Sequence, residues 1–364
     1  MRFTPTLRRL ASATLCCLGL TAQAAELHVY NWSDYIGEQT IAGFEKQTGI
    51  KVKYDVYDSD DTLQAKMLTG RAGYDVVVPT SNYMARQAAA GIYQPLNKVL
   101  LPNLANLDPQ LMKMVASADP GNKYGVPYAW FTDGLGLNLN KVKAALGNDA
   151  PLDSWDLLFD PARLGKLKSC GVSMLDQASD VFAITLHYLH KDPNSKNPAD
   201  YQAAFETLKK IRPYITQFNS SGYINDLANG DVCLAVGWSG DIGIARRRAA
   251  DAGKHYQIAY VIPKSGAPFS VDMMTIPKDA PNPAAAHQWI NHILQPDVAA
   301  GITNKVFYPT PNIPARKLVQ PAIASDAGIY PPPAVMQTLF LLQPLPTDIL
   351  RLQNRLWTQL KTGR

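Results

Sequence analysis

Six consecutive residues, Tyr30-Asn31-Trp32-Ser33-Asp34-Tyr35, put a carboxylate between two aromatic rings, and about 200 residues later Gly237-Trp238-Ser239-Gly240-Asp241 again pairs an indole with a carboxylate. Carboxylates answer the three N–H donors of an ammonium, and aromatic faces suit both a cation and the methylenes beside it. An ammonium leaves water only where its lost hydration is replaced. A ligand with a positive group at each end of an apolar spacer therefore matches acids supplied from separate parts of a cleft. The plainer reading of either aspartate alone is a helix cap, and of a lone ring, core packing. Trp at the matched place in both clusters favours a site.

Other chemistries have less support. Gly237-Trp238-Ser239-Gly240 stops one residue short of a G-x-S-x-G nucleophile turn, because Asp241 stands where the strained turn needs glycine. There is no H-E-x-x-H and no phosphate loop. His187 and His190, three apart in a helical pattern with no evident third ligand group, read as surface or packing residues. The rival from another class is a secreted hydrolase with paired carboxylates, marked by turnover of a chromogenic ester or glycoside. An anion-binding protein would want helix N-termini free of nearby acids, and here several acids stand close. No cofactor or metal is implied.

The elements that must position these residues alternate. Leu27–Tyr30, 51–57 and 74–78 read as strands, with helical spacing at 37–47 and 62–69, the second capped by Asp58-Ser59-Asp60-Asp61. This is a βαβαβ unit, whose sites lie beyond the carboxyl ends of the strands, where Trp32, Asp34, Thr80 and Ser81 fall. Strands at 135–139, 170–175 and 232–236 repeat the logic, with helices near 181–190, 200–210 and 223–228 and another beginning at Asp241. Strands 257–262 and 271–276 follow, then helical stretches 283–302 and 346–361 among Pro-rich segments.

The chain has 364 residues, more than one core usually serves, so two domains are expected. Residues 1–24 read as a secretory signal: Arg2, Arg8 and Arg9, an apolar run from Leu10 to Leu20, then Ala22-Gln23-Ala24. Leu15 before Cys16 is too large for a lipoprotein site. Removing three arginines lowers the net charge from +5 to +2, and no basic run beyond Arg246-Arg247-Arg248 suggests nucleic acid or an anionic membrane. That triplet reads as a solvated helix face. Cys170 and Cys233 are the two cysteines left after the leader, and an exported protein usually pairs them; two buried free thiols are the alternative.

The blocks "YNWSDYI", "GYDVVVP", "NKYGVPYAW", "KIRPYITQF", "YINDLANGDVCLAVGWSGD" and "GIYPPPAVM" resemble the periplasmic solute-binding proteins of bacterial polyamine ABC transporters, nearest the putrescine-binding type. The resemblance runs from about Glu26 to Arg364. It implies the α/β, two-lobed type II periplasmic-binding-protein fold, each lobe a mixed sheet flanked by helices, with hinge strands between. The lobes would be residues 25–132 plus 257–309 and residues 135–250 plus 313–364. It further implies a periplasmic, non-enzymatic monomer that holds a polyamine and docks on an inner-membrane ABC permease. A ligand sensor for a membrane receptor would share the fold.

Position by position, the family's cleft maps onto Trp32, Ser33, Asp34, Tyr35, Thr80, Asn82, Asp180, Trp238, Asp241, Asp272, Tyr308 and Leu342, and its disulfide onto Cys170 and Cys233. On their own terms several stay open. Asp180 also suits a helix cap, Asp272 a salt bridge, and Ser33, Thr80 and Asn82 loop hydrogen bonds. One position departs. Two residues before Asp272 the family places a large aromatic ring, where this chain has Ser270, with Phe269 one place earlier. The loss of a ring widens the pocket, and a longer polyamine or agmatine then competes with putrescine unless Phe269 takes the role.

Overall fold

A computed structural model describes residues 26–363; the expected leader, residues 1–24, lies outside them. Among the described residues there are ten strands, one of them long and central. They are β1 (Glu26–Trp32), β2 (Lys51–Tyr57), β3 (Val76–Val77), β4 (Gly125–Asn138), β5 (Val172–Met174), β6 (Gln217–Phe218), β7 (Leu234–Trp238), β8 (Ile258–Val261), β9 (Pro268–Thr275) and β10 (Phe340–Leu341). The order is β2-β1-β3-β9-β4-β7-β5-β6, with β8 also on β4 and β10 on β9.

The sheet has two halves. In the first, β2, β1 and β3 are parallel and β9 joins antiparallel, meeting β4 along Gly125–Thr132. In the second, β6, β5 and β7 are parallel, and β7 meets β4 antiparallel along Asp133–Leu137. β4 thus carries 14 residues, all buried, through both halves. β8 pairs with Leu135–Asn138 and so belongs to the second half, not to the first as the 257–309 range had it.

Local chemistry explains most element ends. Ser59 caps the helix Asp60–Leu68, its side chain accepting from the Thr62 amide at 3.2 Å. The expected helix 283–302 is two, Pro283–Ile293 and Pro296–Val306, because Pro296 lacks the amide needed to continue the first but suits the first turn of the second. The first helix begins at Thr40, not Gly37, and Asp34 precedes it in a left-handed conformation, φ 55°. Cys170 and Cys233 form a disulfide with Cα atoms 5.5 Å apart, tying the approach to β5 to that of β7.

Candidate binding site between the two halves

The second cluster is built around Asp241. β7 ends at Trp238, the helix Ser239–Asp251 starts at the next residue, and Asp241 falls in its first turn. Its carboxylate does not cap that helix. It accepts from the hydroxyls of Tyr223 and Tyr308, each at 2.7 Å. The flanking glycines make this possible: a Cβ on Gly237 would stand 2.6 Å from the Tyr223 ring, and one on Gly240 would collide with the ring of Tyr308. Burial pushes the Asp241 carboxyl up to about 6, against the pull of the two hydroxyls. Trp238 donates its indole N–H to Asp180 at 3.1 Å, and Ser179 donates to the other oxygen at 2.8 Å. Asp180 is likewise raised by burial to about 6.

The first half brings its own acids. β1 ends at Trp32, whose indole N–H donates to the Val78 carbonyl at 2.8 Å. Tyr35 donates to Asp272 Oδ2 at 2.6 Å. The other oxygen, Asp272 Oδ1, is buried with no protein partner. Burial holds this carboxyl well above the usual range. Asp272 lies on β9 and bridges to Thr80. The Thr80 hydroxyl in turn donates to Asp60 at 2.6 Å and lies 2.7 Å from the side-chain oxygen of Asn82. Asp60 is raised by burial to about 7, and the Gln177 amide of the second half approaches it at 3.4 Å.

Between the halves lies a pocket, partly open to solvent, lined by Trp32, Ser33, Tyr35, Trp238, Asp241, Asp272 and Tyr308, all expected, together with Asp58, Phe131, Ser220 and Ile224, which were not. The rings form a box. Trp32 and Trp238 meet edge to face at 5.6 Å, Tyr35 and Tyr308 at 4.5 Å, and Phe131 lies 5.9 Å from both Trp238 and Tyr308. Asp58 sits in the four-residue cluster expected only to cap a helix. Phe131 carries no sequence signal, because its place depends on how β4 registers against β9.

Other expected positions fall outside the lining. Asp34 turns to the surface and pairs with Arg248 of the other half at 2.8 Å; its left-handed backbone aims it away from the rings beside it. Arg246-Arg247-Arg248 is accordingly more than a solvated face, since Arg246 also holds Asp326. Asn82 and Leu342 line a neighbouring cleft with Arg86, Asn194 and Gln353. Asp180 and Thr80 brace lining residues from behind. Ser270 stands opposite Phe131 in the β4–β9 register, while Phe269 faces Trp130 at 5.4 Å and supplies no cavity wall. Among the described residues no group of three or more His, Cys, Asp or Glu is arranged to hold a metal ion, and no helix is long and apolar enough to cross a membrane.

Comparisons with known proteins agree with this architecture. A putrescine-binding periplasmic protein of Escherichia coli (strain K12) is 49% identical over 346 residues, covering 95% of this chain and 94% of its own. A putrescine/agmatine-binding protein of Pseudomonas aeruginosa PAO1 is 42% identical over 360 residues, covering 97% and 98%. Among solved structures, a chain described as a spermidine/putrescine ABC transporter from Listeria monocytogenes superposes with a TM-score of 0.84 at 33% identity, covering 94% of this chain and all of that one. The expected type II periplasmic-binding fold is the one found. The profile of the bacterial extracellular solute-binding proteins matches residues 39–331, and this chain belongs to that family.

Proposed function

We propose that the protein binds a short aliphatic polyamine, putrescine or a close relative, in the cavity between its halves and delivers it to an inner-membrane ABC permease. The carrying observation is Asp272: a buried carboxylate oxygen without a protein partner, facing an aromatic cavity beside a second buried acid. Such an oxygen is costly unless a cation meets it. The edge-to-face contact of Tyr35 with Tyr308 draws Asp272 and Asp241 to one end, where one ammonium takes both. Asp58, beside Ser33 and Ser220, accepts the second, and the rings cover the methylenes between. The names of the relatives, which bind putrescine, agmatine or spermidine, support this ligand class. So does the non-enzymatic character of the family.

The binding step needs both halves. Asp272 belongs to the first sheet and Asp241 to the second, so a ligand touching both favours the closed arrangement over an open one. In this reading residues 26–132 and 263–309 act as one lobe and residues 133–261, with the C-terminal helix Thr347–Thr362, as the other, β4 crossing between them. Residues 1–24 direct export and are removed, leaving the protein in the periplasm.

Calorimetric titration of the mature protein with putrescine, cadaverine, agmatine, spermidine and spermine, with sulfate as control, tests this. At least one polyamine should bind, and at a hundred times its Kd it should add about 2.7 kcal/mol to stability. Asp272→Asn should weaken that binding by about 2 kcal/mol or more, roughly 30-fold, the order expected when one partner of a buried charge pair is removed. Heat from sulfate but from none of the amines would end the proposal.

A further inference from the structure

We infer that Phe131, a ring carried on the strand shared by both halves, is a specificity-determining residue that fixes the width of the cavity and so favours slim diamines over bulkier polyamines. This rests on the polyamine reading of the site.

The register carries the argument. Phe131 on β4 lies directly opposite Ser270 on β9. Directly opposed residues of an antiparallel pair project from the same face with Cβ atoms about 4.5–5.5 Å apart. One patch of cavity wall can therefore be covered by a large side chain from either strand, but not comfortably from both. Here β9 offers a serine and β4 the ring. Phe131 lines the cavity, Ser270 does not, and Phe269 points to the other face of the sheet.

Its neighbours make the ring more than filler. Phe131 meets Trp238 at an interplanar angle of 65° and Tyr308 at 81°, both edge to face, so it backs the indole that Asp180 holds and the phenol that reaches Asp241. It also sits two residues before Asp133, where β4 passes from β9 to β7. The wall is thus anchored to an element common to both halves. An aromatic face there packs against methylenes and attracts the ammonium beside them. Removing it opens space that thicker or longer polyamines fill better than a four- or five-carbon chain does.

The test is a swap. Phe131→Ala should weaken putrescine and cadaverine about tenfold and reduce the preference for putrescine over spermidine, as a ratio of Kd values, at least about fivefold. Ser270→Phe alone should weaken both ligands by crowding two rings. The double variant Phe131→Ala/Ser270→Phe should bring the ratio back to within about threefold of the starting protein. Should Phe131→Ala not fold, as judged by circular dichroism, Phe131→Leu keeps the apolar bulk and should shift the ratio the same way by less. A variant that weakens all ligands equally, or a double variant that is only the sum of its parts, overturns the inference and leaves ordinary packing. If the unaltered protein binds no polyamine, the functional proposal fails instead, so the two failures are distinct.

Discussion

Asp241, Asp180 and Asp272 sit where burial disfavours their charge, and in the proposed complex a cation meeting Asp241 and Asp272 withdraws that cost for those two. The sign of the pH dependence follows. In the ligand-free protein these carboxyls keep their protons at pH values where the unfolded chain has lost them, so stability falls as pH rises from about 4 through the folded values of Asp241 and Asp180 near 6. A bound ammonium favours the ionised acid, so affinity runs the other way. We expect putrescine to bind about tenfold more weakly at pH 5 than at pH 7.5 for each acid titrating near 6, while the ligand-free melting temperature is higher at pH 5. Titrations and melts across that range check both trends; a flat affinity profile contradicts the assignment of Asp241 and Asp272 to the ligand. Much of this residue set was legible in the sequence, because Trp and Asp recur together just past strand ends. Asp34 was the misleading member. Its left-handed backbone, which turns the side chain outward to Arg248, leaves no mark in residue type or spacing.

At the scale of elements, the contacts that join the halves include several of distinct chemistry. Asp34 and Arg248 form a half-exposed ion pair, Ser33 approaches Ser221 at 3.4 Å, and Trp32 meets Trp238. An exposed pair contributes about 0–1 kcal/mol and is screened by salt. Arg248→Ala should therefore leave the fold intact, raise the ligand dissociation rate by no more than about fivefold, and remove much of the salt dependence of that rate. Stopped-flow competition at low and high salt measures this; a hundredfold acceleration would mean that the pair does more than latch the rim. Strands β1 and β2 were legible as apolar or alternating runs with turn residues at their ends. The first half of β4 was not. Gly125, Pro127 and Gly134 break its pattern, and burial on both faces removes the alternation that marks a half-exposed strand. With that stretch unread, the register of Phe131 against Ser270 was not legible, and the reading of the pocket wall rested on Ser270 and Phe269 alone.

For the whole molecule, the succession of strand and helix foretold two α/β halves, and the resemblance of whole sequence blocks foretold their family. The division between them was less legible, since β8 follows the second half's helix in sequence and also pairs on its side of β4. The disulfide closes a span of 63 residues within that second half, and chain-entropy reasoning gives it a stabilisation of roughly 4 kcal/mol. Parallel strands on each side, joined through antiparallel β9 and β4, place most cavity residues near a strand end or on β4 or β9, while Tyr308 follows the helix Pro296–Val306 and Ile224 lies in the helix Tyr223–Asn229. The central claim is that acids from both halves take a polyamine's charge while rings cover its spacer. A crystal structure of the mature protein with putrescine tests it most directly. The account predicts one ammonium within hydrogen-bonding distance of Asp272 Oδ1 and Asp241, with the methylenes against Trp238 and Phe131. Density for the ligand elsewhere, or those carboxylates turned out of the cavity, would contradict it.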